Sequence, residues 1–386
     1  MEKSARPDSF FKFDRKIQLI KKGEVIGKYC FFAGVWIQLF IMMLGHSVWE
    51  MPFRGRFLQF AFVLFCVKIL FTEYSIKEWI AMILVGGLGC ISYLVSAEEY
   101  VISIIVLIFA AKHIQMRKVI KWIFYGALIG TVCIILLSLL GAGGMIVDVR
   151  DYGRGGVESR FCLGFSHANN LHGTLWYLTA LFLYLFFDRV KWPHYIGLTM
   201  LNVGLFLLTA SKAGLIAAQI LIVAVCIVRY YPSVEKWMGV YILGALSMIG
   251  IMGISLVSVT IPWTDSAVLQ LLDRLFTGRI NLAYKGAHIS NWGMFFPRGE
   301  LGVVDNGWIT VFFNYGYLIG ILFVGIQLYL IYVAYKRKKG ICLAILVTNA
   351  FYTFMEATYT MNSVYFLCNL SYVTAMILMG DEHEST

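Results

Sequence analysis

VIKWIFYGALIGTVCIILLSLLG, residues 119–141, carries one charge, Lys121, in an otherwise apolar run. A helix that crosses the hydrocarbon of a bilayer needs about 20 mostly apolar residues, and this run supplies them. Runs of the same kind lie near 28–45, 56–72, 78–96, 99–115, 168–187, 191–209, 211–229, 237–259, 307–335, 340–357 and 362–380. The spacing predicts an all-α integral membrane protein with about twelve transmembrane helices. The pairs 78–115 and 191–229 are tightly joined, so ten or eleven spans also fit.

Composition points the same way. The chain has 386 residues, 60% hydrophobic and 14% charged, with a mean hydropathy of +0.76. Soluble domains run at about 45–50% apolar and about 25% charged. The apolar excess is too large for one globular core and must face lipid. Cys30, Cys66, Cys90, Cys133, Cys226, Cys342 and Cys368 all lie in apolar runs, where a thiol behaves as a small hydrophobe. Cys162 falls in a polar connection, and no CxxC spacing occurs, so neither a disulfide framework nor a metal cluster is expected.

Lysine and arginine set the orientation, because they concentrate on the cytoplasmic side of a membrane protein. The first 24 residues are basic and lack the long apolar core of a cleaved signal peptide. They are expected to form a cytoplasmic tail, disordered or lying on the anionic leaflet through Phe10, Phe11, Phe13, Ile17 and Ile20. Residues 25–386 then form a single polytopic domain. Later clusters are Lys112, Arg117, Lys118 and Lys121; Arg189 and Lys191; Arg229 and Lys236; and KRKK at 336–339. With twelve spans all of these fall on one side, and both termini are cytoplasmic.

Two enlarged connections, about 142–167 and 260–306, then lie outside. Long loops in a compact protein are often functional. The second contains an amphipathic stretch, Val268 to Leu282, that predicts a short helix on the outer surface. These loops break the charge rule: they hold Arg150, Arg154, Arg160, Arg274, Arg279, Lys285 and Arg298, with Lys212 on the same face. A cationic cluster outside suggests an anionic ligand, and arginine's planar fork suits phosphate and diphosphate. Asp148, Asp151, Glu158, Asp265, Asp273, Glu300 and Asp305 offer the alternative that the arginines are paired and fix loop structure.

The stretch SRFCLGFSHANN, 159–170, gathers Arg160, His167, Asn169 and Asn170 at the mouth of an apolar run. His167 is a candidate base or hydrogen-bond donor, since its pKa lies near neutrality; a helix cap is the plainer reading, and Asn169 is equally a cap candidate. Glu356 lies near the end of the 340–357 run, and an ionisable group there is a functional candidate by default. Asn349, Asn362 and Asn369 are candidates for helix-to-helix hydrogen bonds.

These segments resemble the bacterial O-antigen polymerase family, which polymerises polysaccharide repeat units. RFCLGFSHANN (160–170) is similar to its "R…GF-x-H-x-N" segment and LTASKAGL (208–215) to its "LT-x-SR-x-GL" segment, with Lys212 where arginine is usual. LFTGRINLAY (275–284) is similar to its "L-x-SGR" segment, VDNGWITVFFNYG (304–316) to its "hDN-x-[YW]" segment, and FMEATYTMN (354–362) to its late glutamate region. The matches run in family order over roughly 150–370, and Ala168 stands where proline is common.

The resemblance implies a metal-independent membrane glycosyltransferase with an architecture of the GT-C type. Such an enzyme passes a growing glycan from a polyprenyl diphosphate carrier to a lipid-linked oligosaccharide repeat unit. It does so at the outer face of the cytoplasmic membrane, for capsule, exopolysaccharide or O-antigen synthesis. A lipid donor needs a groove open to the bilayer, a diphosphate leaving group needs fixed cations, and a sugar acceptor needs a base. On this reading Arg160 and Arg279 bind the diphosphate, with Lys212, Arg274 and Arg154 assisting. His167 orients or deprotonates the acceptor, with Glu356 and Asp305 as competitors, and Asn169, Asn170 and Asn306 contact sugar hydroxyls. No phosphate loop, HExxH or nucleotide-binding domain is present, so no cofactor, metal or nucleic acid is expected; a chain-length regulator and a flippase are the expected protein partners. A glycan ligase using the same donor is the nearest alternative. A flippase or other transporter is the alternative from another class, and it would place its charges deep within spans, where here Lys68 and Glu356 are the main exceptions.

Overall fold

The computed structural model describes residues 8–49, 51–96, 99–151, 156–276, 278–287, 304–357 and 369–380. Eleven of the twelve apolar runs carry a helix, and so does the described part of the twelfth, 369–380: α1 (Asp8–His46), α2 (Arg54–Leu70), α3 (Ile76–Ser96), α4 (Tyr100–Ala110), α5 (Met116–Leu139), α6 (Ala168–Leu185), α7 (Trp192–Thr209), α8 (Lys212–Tyr230), α9 (Met238–Thr260), α12 (Gly307–Lys336), α13 (Gly340–Met355) and α14 (Leu370–Gly380). Six of the described helices, α1, α3, α5, α8, α9 and α12, are long and apolar enough to cross a membrane by length and composition; α4 and α13 are shorter apolar helices. By this measure the protein is a multi-pass, predominantly helical membrane protein. α1 runs unbroken from Asp8, so much of the basic segment read as a tail continues the first apolar helix.

The helices form an inner and an outer set. α13 packs against α8, α9, α12 and α14, and its side chains are nearly all buried. α6 is similarly enclosed. α3 is almost bare, with Ile83, Leu84 and Leu94 exposed. An apolar helix exposed over most of its circumference is stable only against lipid or a partner.

Both enlarged connections are ordered further than sequence reading expected. The first contains an antiparallel hairpin, β1 (Val147–Asp151) and β2 (Val157–Phe161), with Asp148 opposite Arg160 and Arg150 opposite Glu158. The turn after it doubles back onto α1: Ser166 N–H donates to the His46 carbonyl at 2.9 Å, and Val48 N–H to that of Gly164 at 3.3 Å. Gly164, at φ +85°, lies so close to α5 that an added Cβ would come within 2.9 Å of the Ile134 carbonyl oxygen. The second connection contains two short helices where one was expected, α10 (Ala267–Leu275) and α11 (Arg279–Ala287). The chain breaks between them at Gly278, whose φ of +84° glycine adopts without steric cost.

The TASKAG segment is a joint. His172, fully buried on α6, reaches Thr209 Oγ1 through Nδ1 at 2.9 Å and Asn202 Oδ1 through Nε2 at 2.8 Å. Asn202 in turn donates to the Leu215 carbonyl at 3.0 Å. Ser211 caps α8, and Gly214 leaves room for the imidazole: a Cβ there would lie 2.6 Å from the ring. One histidine thus holds α6, α7 and α8 in register.

This packing predicts opposite outcomes for two glycine substitutions. Gly214→Ala overpacks the joint, at a cost of about 1–3 kcal/mol. Gly253→Ala on α9, where an added Cβ meets nothing within 4 Å, is neutral or stabilising by up to about 1 kcal/mol. Thermal unfolding of both variants in detergent checks this; equal transitions would refute the role of Gly214.

Candidate active site

Four segments far apart in sequence meet around one carboxylate. Glu356 lies just past the last helical residue of α13, in extended backbone (φ −146°, ψ 119°), with its N–H bonded to the Tyr352 carbonyl. Its Oε1 accepts from Asn169 Nδ2 on the first turn of α6 at 2.7 Å, and from Arg279 Nη2 on the first turn of α11 at 2.7 Å. Arg279 Nη1 stands 3.2 Å from Asp305 Oδ2, in the segment leading into α12. Arg279 and Glu356 have side chains only 11% and 10% exposed, whereas Asp305 is 47% exposed. The cluster therefore has a buried ion pair with one carboxylate at its open side.

Local chemistry fixes each arm. Arg279 follows the Gly278 break, and Asp273 Oδ1 accepts the Asn281 N–H at 2.8 Å, satisfying one of the orphan donors at the start of α11. Phe276 packs edge-on against Phe354 with centroids 4.9 Å apart, which ties the α10–α11 corner to α13. Asn306 caps α12: Oδ1 accepts from Trp308 N at 3.0 Å, and Nδ2 donates to Ser255 Oγ at 3.1 Å. Trp308 Nε1 donates to the Ala350 carbonyl at 3.0 Å. α12 is itself broken at Gly316 (φ 79°, ψ 171°), so its first turns set their own direction. Below Glu356, Trp176 of α6 stacks on Tyr352 of α13 at 4.5 Å.

A buried carboxylate paired with a guanidinium and held by an amide has the chemistry of a general base, and the guanidinium beside it can meet developing negative charge.

The other residues singled out from sequence fall in different places. His167 is the N-cap of α6, its Nδ1 accepting the Asn169 N–H at 3.1 Å. With that lone pair engaged, the neutral ring carries its proton on Nε2, so His167 fits a donor better than a base. Asn170 Nδ2 donates to Ser166 Oγ at 2.9 Å, and Asn306 is engaged through both amide atoms, in the cap of α12 and with Ser255. Arg160 is buried on β2 and chelated by Glu158 through Nε at 3.0 Å and through Nη2, two residues away on the same strand face. Lys212, first residue of α8, and Arg274, in the last turn of α10, are exposed. Arg154, Arg298, Glu300 and Asn362 lie outside the described residues. Lys68 sits near the end of α2, donating to Thr72 Oγ1 and the Lys112 carbonyl. Asn349 bonds Ser371 of α14 at 2.7 Å, joining α13 to α14. Among the described residues no group of three or more His, Cys, Asp and Glu side chains is arranged to hold a metal ion.

Sequence reading did not single out Asp273 as the cap that presents Arg279; its position five residues before a Gly-Arg pair was the available signal.

Removing one half of a buried ion pair is more damaging than removing both, because the survivor is left desolvated. Arg279→Ala is expected to cost about 3–5 kcal/mol of stability, and Arg279→Ala with Glu356→Ala to recover a large part of it. Thermal unfolding of the two variants in one detergent decides this; an equal loss in both would mean the pair carries no coupling.

No protein-family model, curated protein or solved structure matches the chain.

Proposed function

We propose that the chain is a polysaccharide polymerase. On this reading it transfers a growing glycan from a polyprenyl diphosphate carrier onto a lipid-linked repeat unit at the outer face of the cytoplasmic membrane. Twelve spans, both termini in the cytoplasm and a GT-C type architecture belong to the same proposal. The observation that carries it is the convergence on Glu356. Asn169, Arg279 and Asp305 belong to three segments that resemble O-antigen polymerase motifs, and all three surround a carboxylate in a fourth such segment.

The chemistry follows from charge balance. Glu356 takes the proton of the acceptor hydroxyl, whose oxygen attacks the anomeric carbon. The bond from that carbon to the diphosphate oxygen breaks, and the lipid diphosphate leaves with the electron pair. Once protonated, Glu356 no longer neutralises Arg279, and the freed guanidinium meets the negative charge developing on the leaving group. Asn169 keeps the carboxyl oriented in both states. The exposed cations Lys212 and Arg274 draw the diphosphate in, and Arg160 is fixed by Glu158 on the hairpin of the first outer connection. A lipid substrate, an oligosaccharide acceptor and the bilayer are the partners implied.

The test is reconstitution of the purified protein with a synthetic polyprenyl diphosphate-linked repeat unit, products resolved on a gel. A ladder of repeat lengths is expected. Glu356→Gln keeps both hydrogen bonds but removes the base, and the rate should fall about 10²–10⁴-fold. A full ladder from Glu356→Gln would end the assignment of Glu356 as base. Movement of labelled lipid across vesicles without a ladder would identify a transporter.

A further inference from the structure

The hairpin of the first enlarged connection is built inside out. Side chains alternate between the two faces of a strand, and paired residues share a face. Asp148, Glu158 and Arg160 lie on one face of the hairpin, and Val147, Val149, Val157 and Phe161 on the other. A sheet at an aqueous surface buries its apolar face and wets its polar one. Here Asp148 and Arg160 are only 2% and 3% exposed, whereas Val149 and Val157 are 59% and 69% exposed. The charged face is turned to the protein, and the apolar face is left uncovered. An apolar patch of this kind marks a surface that meets something other than water.

What covers it follows from where the hairpin starts. α5 is long and apolar enough to cross a membrane. Leu136 and Leu139 in its last turn are exposed, as are Leu140, Met145 and Ile146 on the way to β1. The uncovered apolar surface of the span therefore continues along the chain into the hairpin. The second enlarged connection repeats the pattern at the same end of the molecule: the hairpin leads into α6 and α10 into α11, and both of those helices start beside Glu356. This connection leaves a second apolar span, α9. Val268, Leu271 and Leu275 of α10 are exposed at i, i+3 and i+7, on one helix face, while Asp273 is buried. Two unrelated patches, each continuous with a span, share an occupant only if it is the bilayer itself. Strands of five residues are too short to cross it, since a spanning strand needs about 9–11. The unpaired strand edges need water or headgroups, so the hairpin fits the interface.

We propose that the hairpin and α10 lie in the bilayer interface, with their apolar faces against lipid and their buried charges turned toward the protein. The proposal holds whichever reaction Glu356 performs.

The test places a small fluorescent amino acid at Val149, Val157 or Leu271 of the full chain. Lys338, exposed in the connection between α12 and α13, is the reference position. Each labelled protein is held as one chain per nanodisc of phosphatidylcholine and phosphatidylglycerol. Quenching by a lipid with a nitroxide near the top of one acyl chain is compared with quenching by aqueous iodide. A helix or hairpin seated in the interface buries its apolar face among the upper acyl chains. Lipid quenching at the three positions is therefore expected to exceed that at Lys338 about threefold or more, and iodide quenching to be weaker by a similar factor. Val157→Asp should cut lipid quenching at position 149 by about half or more, and Val157→Leu should leave it unchanged. Iodide quenching at Val149 and Leu271 equal to that at Lys338 would overturn the proposal. So would shielding from both quenchers, or shielding seen only with two chains per disc, which would mark a contact between copies.

Discussion

A carboxylate with about a tenth of its side chain exposed, at the end of an apolar helix, has to be met by donors wherever the chain can supply them. Glu356 is met by Arg279 and Asn169. That requirement organises the loops around it. Arg279 reaches the carboxylate because Gly278 ends α10 abruptly and Asp273 restarts the chain as α11. Asp305 stands beside Arg279 because Asn306 caps α12 at that point and Gly316 lets the first turns of α12 tilt separately. Asn169 is presented by the first turn of α6, which His167 caps. Remove the carboxylate, and three corners of the structure lose the charge they converge on.

The balance of charge in the cluster sets its chemistry. One guanidinium faces two carboxylates, so the resting site repels an anion while Glu356 is ionised. Buried Arg279 is therefore a poor first contact for a diphosphate. Exposed Lys212, Arg274 and Lys285 are better ones, being unburied and able to move. The division is physical: flexible cations in water act at long range and are screened by salt, while a fixed guanidinium in a dry site acts strongly at short range. Arginine pairing, the plainer alternative from sequence, is realised at both Arg160 and Arg279. On the proposed mechanism the two readings are compatible, since the pair at Arg279 would be dissolved by the same proton transfer that starts the reaction.

Apolar periodicity made the helices legible: every apolar run carries a helix over its described residues, with ends shifted by a few residues or, for α1 and α4, by more. The hairpin at 147–161 escaped because its strands are five residues each and half polar, a pattern that reads as loop. Residue types in the motifs were legible, but their contacts were not. Glu356 and Asn169 are 187 residues apart, and Glu356 and Arg279 are 77 apart; nothing local in the sequence announces either bond. Asn306 and Asn170, read as sugar ligands, also have local bonds that the sequence does not show, Asn306 in a helix cap and Asn170 to Ser166. An asparagine beside a helix start has the same letters whether it faces substrate or backbone.

The LTASKAGL segment separates two things that a motif records. Thr209, Ser211 and Gly214 all act on packing, through the His172 ring and the cap of α8. His172 lies one turn below Asn169 on the same face of α6. A joint that fixes His172 therefore fixes the Asn169 amide against Glu356, and residues without an atom in the site still decide its geometry. Lys212 is the exception in the segment. It is the first residue of α8, where the helix dipole is already positive and a cation is destabilising. On the proposed function, a cation at a position that packing does not require and the helix dipole disfavours is placed to meet an anion, the diphosphate of the lipid carrier.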